Sequence, residues 1–171
     1  MRGMALFGIV LLFSVSAFSN DARSEAMIRT EVQLFMEALK NGDGVSAAMH
    51  FSSEAMVQVN AMLNSVKQSF ERDPESTLRR LSNAGYTVDT EVLEDWQVAD
   101  YLAETLSLPM ISARYAPYEL NIISVSIDGR SAVVDMIFRT AAGAEIPQEA
   151  LLDYENDLWK ISSFMGITAF P

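Results

Sequence analysis

The spacing of apolar residues changes period once along this chain. Up to about residue 108 they recur at intervals of three and four, and from Tyr118 to Phe164 they alternate in short runs cut by two-residue turn signals. Helices first and an antiparallel sheet afterwards predict an α+β domain, with N-terminal helices packed on one face of a curved antiparallel sheet of about four strands. In Ser24–Lys40, Ile28, Val32, Phe35, Met36 and Leu39 fall on one helical face. Glu25 and Glu31 lie toward its start and Lys40 at its end, as the helix dipole prefers, and Asn41-Gly42 stops it. Asp43 caps a short helix, Gly44–Phe51, whose apolar positions are Val45, Ala48 and Met49. Ser52 or Ser53 caps a longer one reaching about Glu71, with Met56, Val59, Leu63, Val66 and Phe70 on its inner face. Asp73-Pro74-Glu75 opens another, which ends at Gly85.

Residues 86–117 carry weaker signals. Tyr86-Thr87-Val88 has the composition of a short strand. Val92, Trp96, Ala99, Ala103 and Leu106 fit one helix face with Asp89 or Thr90 as cap, and Pro109 and Pro117 bracket an irregular connection. The sheet reads more clearly. Tyr118–Ile127 is a strand, and Asp128-Gly129 is a hairpin turn whose two central residues both take positive φ. Ser131–Thr140 returns with Ala132, Val134, Met136 and Phe138 on one face. Ala141-Ala142-Gly143 turns again into a third strand within Ala144–Glu155, where Pro147 marks an edge or a bulge. Asn156-Asp157 leads into a last strand, Leu158–Phe164.

The start of the chain follows a different logic. Arg2, the apolar run Ala5–Phe13 and the small residues around Val15–Ser19 form a secretory signal peptide over residues 1–19, which leaves 20–171 as a single α+β domain. Nine apolar residues make about 14 Å of helix, under half of a bilayer core of about 30 Å, so a membrane anchor is disfavoured. The expected location is therefore outside the cytoplasm, periplasmic or secreted, with no stable membrane insertion after signal removal. There is no cysteine, hence no disulfide, thiolate metal site or thiol nucleophile. The 23 acids outnumber 12 bases, and loss of Arg2 with the signal takes the net charge of −11 to about −12. Such a surface repels nucleic acid and anionic membrane.

Two stretches carry a family resemblance. Phe35–Ala55, FMEALKNGDGVSAAMHFSSEA, resembles the opening of the nuclear-transport-factor-two-like superfamily: a helix, a Gly/Asp turn, a short Ala-rich helix, then Phe and Ser. Ser126–Val134 and Glu155–Ile161, which ends in Trp159-Lys160-Ile161, resemble the hairpin and terminal strand of its exported members. The resemblance covers roughly residues 24–70 and 118–165, and residues 71–117 match no part of it. It implies a cone, with a curved sheet wrapped around the long first helix and a pocket at the open end. Members include isomerases, cyclases, lipid carriers and many non-catalytic exported proteins, so the fold alone does not select a function.

Few residues offer chemistry. His50, the lone histidine, is a conceivable general base, but its sequence neighbours supply no orienting carboxylate. One histidine without cysteine does not furnish a typical zinc site. Asp135 lies in a strand opposite in parity to Met136 and Phe138. In an apolar concavity it would act as a base for proton abstraction, with Tyr115, Tyr118 or Tyr154 donating to the developing enolate, whereas on a solvated face it would be ordinary surface. No nucleophile elbow, phosphate-binding Gly-rich loop or calcium-loop spacing is present. Met27, Met36, Met49, Met56 and Met62 on the first three helices suit either core filling or a pliant pocket, and Trp96 and Trp159 suit core anchors.

The reading that follows is an exported, non-catalytic domain that binds a small apolar ligand or a protein partner, with no catalytic, cofactor-binding or metal residues. A cofactor-free isomerase or cyclase using Asp135 or His50, and a periplasmic lipid carrier, are the alternatives. The chain ends too soon after its last strand for the long C-terminal helix that such carriers tend to have.

Overall fold

The computed structural model describes residues 10–164, with side chains described from Asp21 onward. The signal peptide expected over residues 1–19 therefore lies outside the fully described part. Seven helices precede four strands among the described residues: α1 (Val10–Asn41), α2 (Gly44–Ala48), α3 (Ser53–Arg72), α4 (Pro74–Ala84), α5 (Thr90–Asp95), α6 (Val98–Ser107), α7 (Pro109–Tyr115), β1 (Tyr118–Asp128), β2 (Ser131–Thr140), β3 (Glu145–Glu155) and β4 (Leu158–Phe164). The strands form one antiparallel sheet in the order β1-β2-β3-β4. This is the α+β architecture that the change of period predicts. Among the described residues no helix is long and apolar enough to cross a membrane.

The helical periodicity translates directly into burial. Ile28, Val32, Phe35, Met36 and Leu39 of α1 are buried, as are Val59, Leu63 and Phe70 of α3, while Met56 and Val66 pack against the same core. Ser52 caps α3 by accepting from the Ala55 amide at 3.2 Å, and Asp73 caps α4 through Ser76. Each cap satisfies a backbone donor that the helix itself leaves unpaired.

Several expectations are corrected. α1 begins well before Ser24, so Glu25 is not a first-turn acid; it pairs with Arg29 one turn on at 2.8 Å. α2 stops at Ala48, and it turns Gly44 and Ala47 inward, not Val45 and Met49, which are 64% and 70% exposed. The cause is a close crossing with α6. A Cβ on Gly44 would lie 2.5 Å from the Ser107 amide nitrogen and closer still to the Ala103 carbonyl oxygen. Only glycine permits that approach, so it sets which face of α2 points inward.

The single helix expected over Asp89–Leu106 is two. Asp89 caps α5, Trp96 leaves helical geometry with ψ 123°, and α6 restarts behind a Gln97/Asp100 capping box. Tyr101, Leu102, Thr105 and Leu106 form its buried face, while Val92 and Ala99 are exposed. Tyr86-Thr87-Val88 is irregular and forms no strand, and Pro109 opens a helix where a loop is expected, because proline at the first position forfeits no helical hydrogen bond.

In the sheet, the alternation of β2 is as read: Ala132, Val134, Met136 and Phe138 are buried. The first hairpin is closed by Gly129 and Arg130 between the paired residues Asp128 and Ser131, and only Gly129 has positive φ, at 60°. The turn with two positive φ values is Asn156-Asp157, at 48° and 64°. Pro147 pairs with Ile137, but β4 reaches β3 only from Ala150 onward, so Pro147 sits where β3 is locally an edge. Two bulges bend the sheet, with Ile123 unpaired in β1 and Ser162 in β4. The first shifts the inward positions from Tyr118, Leu120 and Ile122 to Val125 and Ile127 without changing the buried face. The two edges differ. β4 is covered by residues 50–52, with the Ile161 amide donating to the His50 carbonyl at 2.8 Å and the Ser52 amide to the Ile161 carbonyl at 2.9 Å. β1 has no strand beside its outer edge among the described residues.

Candidate functional site

His50 has a partner that its own neighbourhood in sequence does not reveal. Its Nδ1 lies 2.9 Å from Oε1 of Glu31, both side chains being less than a fifth exposed. Glu31 sits at the border of the apolar stripe of α1, one turn from Phe35, and a charge at such a position signals that a partner must come from elsewhere. Lys160 of β4 completes the group, with Nζ 3.8 Å from Glu31 and donating to the Met49 carbonyl at 2.7 Å. The His50 ring also sits edge-on to Phe35. An imidazole oriented by a carboxylate is the pairing that base catalysis uses, but among the described residues Glu31 is the only side chain hydrogen-bonded to this ring. The hydroxyl of nearby Ser52 is buried as the cap of α3. What the group does is join three elements: α1 through Glu31, the chain leaving α2 through His50, and the edge of β4 through Lys160.

Asp135 is exposed on the outer face of the sheet, where it accepts from the Ser124 hydroxyl at 2.6 Å and faces Glu149 across β3. The three candidate donors are on the other side. Tyr118 stacks on Phe138 with centroids 5.4 Å apart, Tyr154 packs on Trp159, and Tyr115 is buried against Phe138 and Phe164. The sheet thus separates the carboxylate from the hydroxyls it would need, and Asp135 lies in no apolar concavity. Burial pushes the Tyr115 hydroxyl above its ordinary range, which keeps it neutral.

A second aromatic group brings together the segments that follow α4 and α5 and the first turns of α6. Tyr86, Trp96 and Tyr101 touch, with Tyr86 hydrogen-bonded to Thr105 at 2.8 Å, and burial pushes Tyr86 up to about 12. Lys67 donates to the carbonyls of Glu94 and Trp96 and so ties α3 to the end of α5. Of the methionines read on the first three helices, Met36 is buried, Met27, Met56 and Met62 pack on the core, and Met49 is exposed. Trp159 is a core anchor as expected, although its indole Nε1 is buried without a hydrogen-bond partner.

Concave surface is found at the junction of α1 and β1. An open groove of about 440 Å³ is lined by Gln33, Met36, Glu37, Lys40 and Asn41 from the helix and Glu119 and Leu120 from the strand. Sequence periodicity places Met36 inward, but only the tertiary structure turns Leu120 to the same side and sets the two elements together with their polar neighbours on the rim.

Helices gathered on one face of an open four-stranded antiparallel sheet define the class of the fold. Comparison with protein-family models, with curated proteins and with solved structures finds no match to this chain.

Proposed function

We propose that the chain is an exported, non-catalytic binding domain that acts through its surface on a protein partner. The observation that carries this reading is the filled interior. Phe35, Met36 and Leu39 of α1 meet Val134, Met136, Phe138, Leu152, Ile161 and Phe164 of the sheet, and each is at most 2% exposed. Side chains occupy the space between α1 and strands β2 to β4 that an enclosed apolar ligand would need, and the open groove lies outside it, at β1. The separation of Asp135 from the tyrosines, and the use of His50 to join secondary-structure elements, weigh against chemistry at those residues. The signal-like first residues support export, to the periplasm or beyond. Membership of the nuclear-transport-factor-two-like superfamily is part of the same proposal. A long first helix, a Gly/Asp turn, a short second helix and a terminal strand bearing Trp159 support it.

The test is native mass spectrometry and lipid extraction of the mature domain purified from its own host. Protein without bound lipid is expected. A stoichiometric lipid or other apolar molecule would overturn the reading in favour of a carrier. One observation favours an isomerase or cyclase, namely the 2.9 Å Glu31–His50 contact. That reading requires His50→Ala to abolish turnover of a substrate while the variant stays folded.

A further inference from the structure

The two edges of the sheet are treated differently by the fold. At β4, residues 50–52 run alongside Ile161 and take up its backbone groups. At β1, an eleven-residue strand, no strand lies alongside among the described residues, and there the hydrogen bond that α1 makes to its backbone is from a side chain: Arg29 Nη1 donates to the Ile122 carbonyl at 3.2 Å. An uncovered strand edge offers main-chain donors and acceptors to any extended chain that arrives. Natural edges are blunted where such pairing is unwanted, and here the bulge at Ile123 divides the strand into two regular stretches of equal length, of which Tyr118–Ile122 is the one next to the groove.

That stretch coincides with the groove between α1 and β1. Leu120 and the buried Met36 supply its apolar floor, and Glu37, Glu119 and Lys40 its charged rim. Two acids against one base leave the groove with a net charge of −1, within a chain of net charge −11. The base opposite Glu119 on β2, Arg139, is itself held by Glu145 at 2.6 Å, so it does not cancel Glu119 alone. A second copy of this chain would bring another strongly acidic surface to the same edge, and long-range repulsion opposes that pairing. The electrostatics therefore select an extended segment that is basic.

We propose that the Tyr118–Ile122 edge and the adjoining α1 groove form a docking site for an extended basic peptide of a partner protein. The peptide adds as a fifth strand beside β1, with an apolar side chain over Leu120 and a Lys or Arg between Glu37 and Glu119. This rests on the protein-binding reading above and names the surface for it.

The experiment uses the mature domain, isotopically labelled, and two synthetic octapeptides: one alternating Lys and Val, the other alternating Glu and Val. Titration with the Lys–Val peptide should shift the amide resonances of Gln33–Asn41 and Tyr118–Ser124, and the Glu–Val peptide should leave them unmoved. Glu37→Lys combined with Glu119→Lys, both exposed positions, should weaken the Lys–Val peptide by about tenfold or more while circular dichroism and Tm stay near those of the parent. Shifts confined to the outer sheet face or to β4, equal response to both peptides, or no response at all would each overturn the assignment. So would a concentration-dependent dimer that protects the β1 amides, which would make the occupant a second copy. Lipid found on the purified protein would instead sink the protein-binding reading itself. A silent groove on a lipid-free protein removes only this site.

Discussion

Replacing Gly44 by alanine sets two effects of opposite sign against each other. Gly44 is the first residue of α2 and has ordinary negative φ, so intrinsic helix propensity favours alanine by up to about 1 kcal/mol. Sterics oppose it. The added methyl would overlap the Ala103 carbonyl oxygen and sit 2.5 Å from the Ser107 amide nitrogen, both of them backbone atoms of α6. A flexible side chain could swing aside, but a helix backbone cannot. α2 must then lift from α6 and take with it Ala47, which is fully buried. Overpacking of this kind costs about 1–3 kcal/mol, and with rigid backbone on the other side the upper half of that range applies. The net expectation is a loss of about 1–3 kcal/mol, or a fall in Tm of roughly 2–12 °C for a chain of this size. Urea unfolding followed by circular dichroism reads it as a lower midpoint at unchanged slope. Val45→Ala, next door on the exposed face at 64% exposure, serves as the control and should stay within about 0.5 kcal/mol. Adding Ser107→Gly should not restore stability, because the clash involves backbone. If Gly44→Ala matches or exceeds the parent in midpoint, α2 does not cross α6 as closely as the structure places it.

Three further expectations concern the candidate site and its surroundings. Glu31→Gln and His50→Gln should each destabilise, and their double-mutant cycle should give a coupling of about 0.5–1.5 kcal/mol by urea unfolding; additive effects would mean that the pair does not join α1 to the chain beyond α2. Asp135→Asn should change stability by less than about 0.5 kcal/mol, since it removes one of two facing carboxylates on an exposed surface, and a loss beyond about 2 kcal/mol would contradict that placement. Tyr86 has its pKa raised to about 12 from an ordinary 10.0 by burial of the neutral hydroxyl. The unfolded chain thus ionises first: this stability is fully present below pH 10 and is lost as pH rises toward 12. Solvent screening of a partly exposed ring brings the expected loss to about 1–2 kcal/mol. Unfolding midpoints measured from pH 9 to 11.5 should fall less steeply in Tyr86→Phe than in the parent, and identical slopes would refute the assignment.

Much of the architecture was legible in the sequence because its causes are local. The stripe from Ile28 to Leu39, the cap at Asp73, the choice of Ser52 or Ser53 as the cap of α3, the alternation from Ala132 to Phe138 and the turn at Asn156-Asp157 each follow from the conformational preferences of a few adjacent residues. Local pattern misleads where a distant element decides. Val45 and Met49 look like an apolar face until α6 approaches Gly44, and the shift in phase at Ile123 becomes a bulge only against β2. The same division governs function. The residue types present showed that cysteine chemistry and histidine-rich metal sites lacked their ligands, because those chemistries depend on composition and spacing. Pairing His50 with Glu31 and Lys160, putting Asp135 on the opposite face of the sheet from the tyrosines, and leaving β1 with no strand on its outer side among the described residues required the tertiary structure. Each depends on contacts between residues far apart in the chain, and no local period encodes which of them will meet.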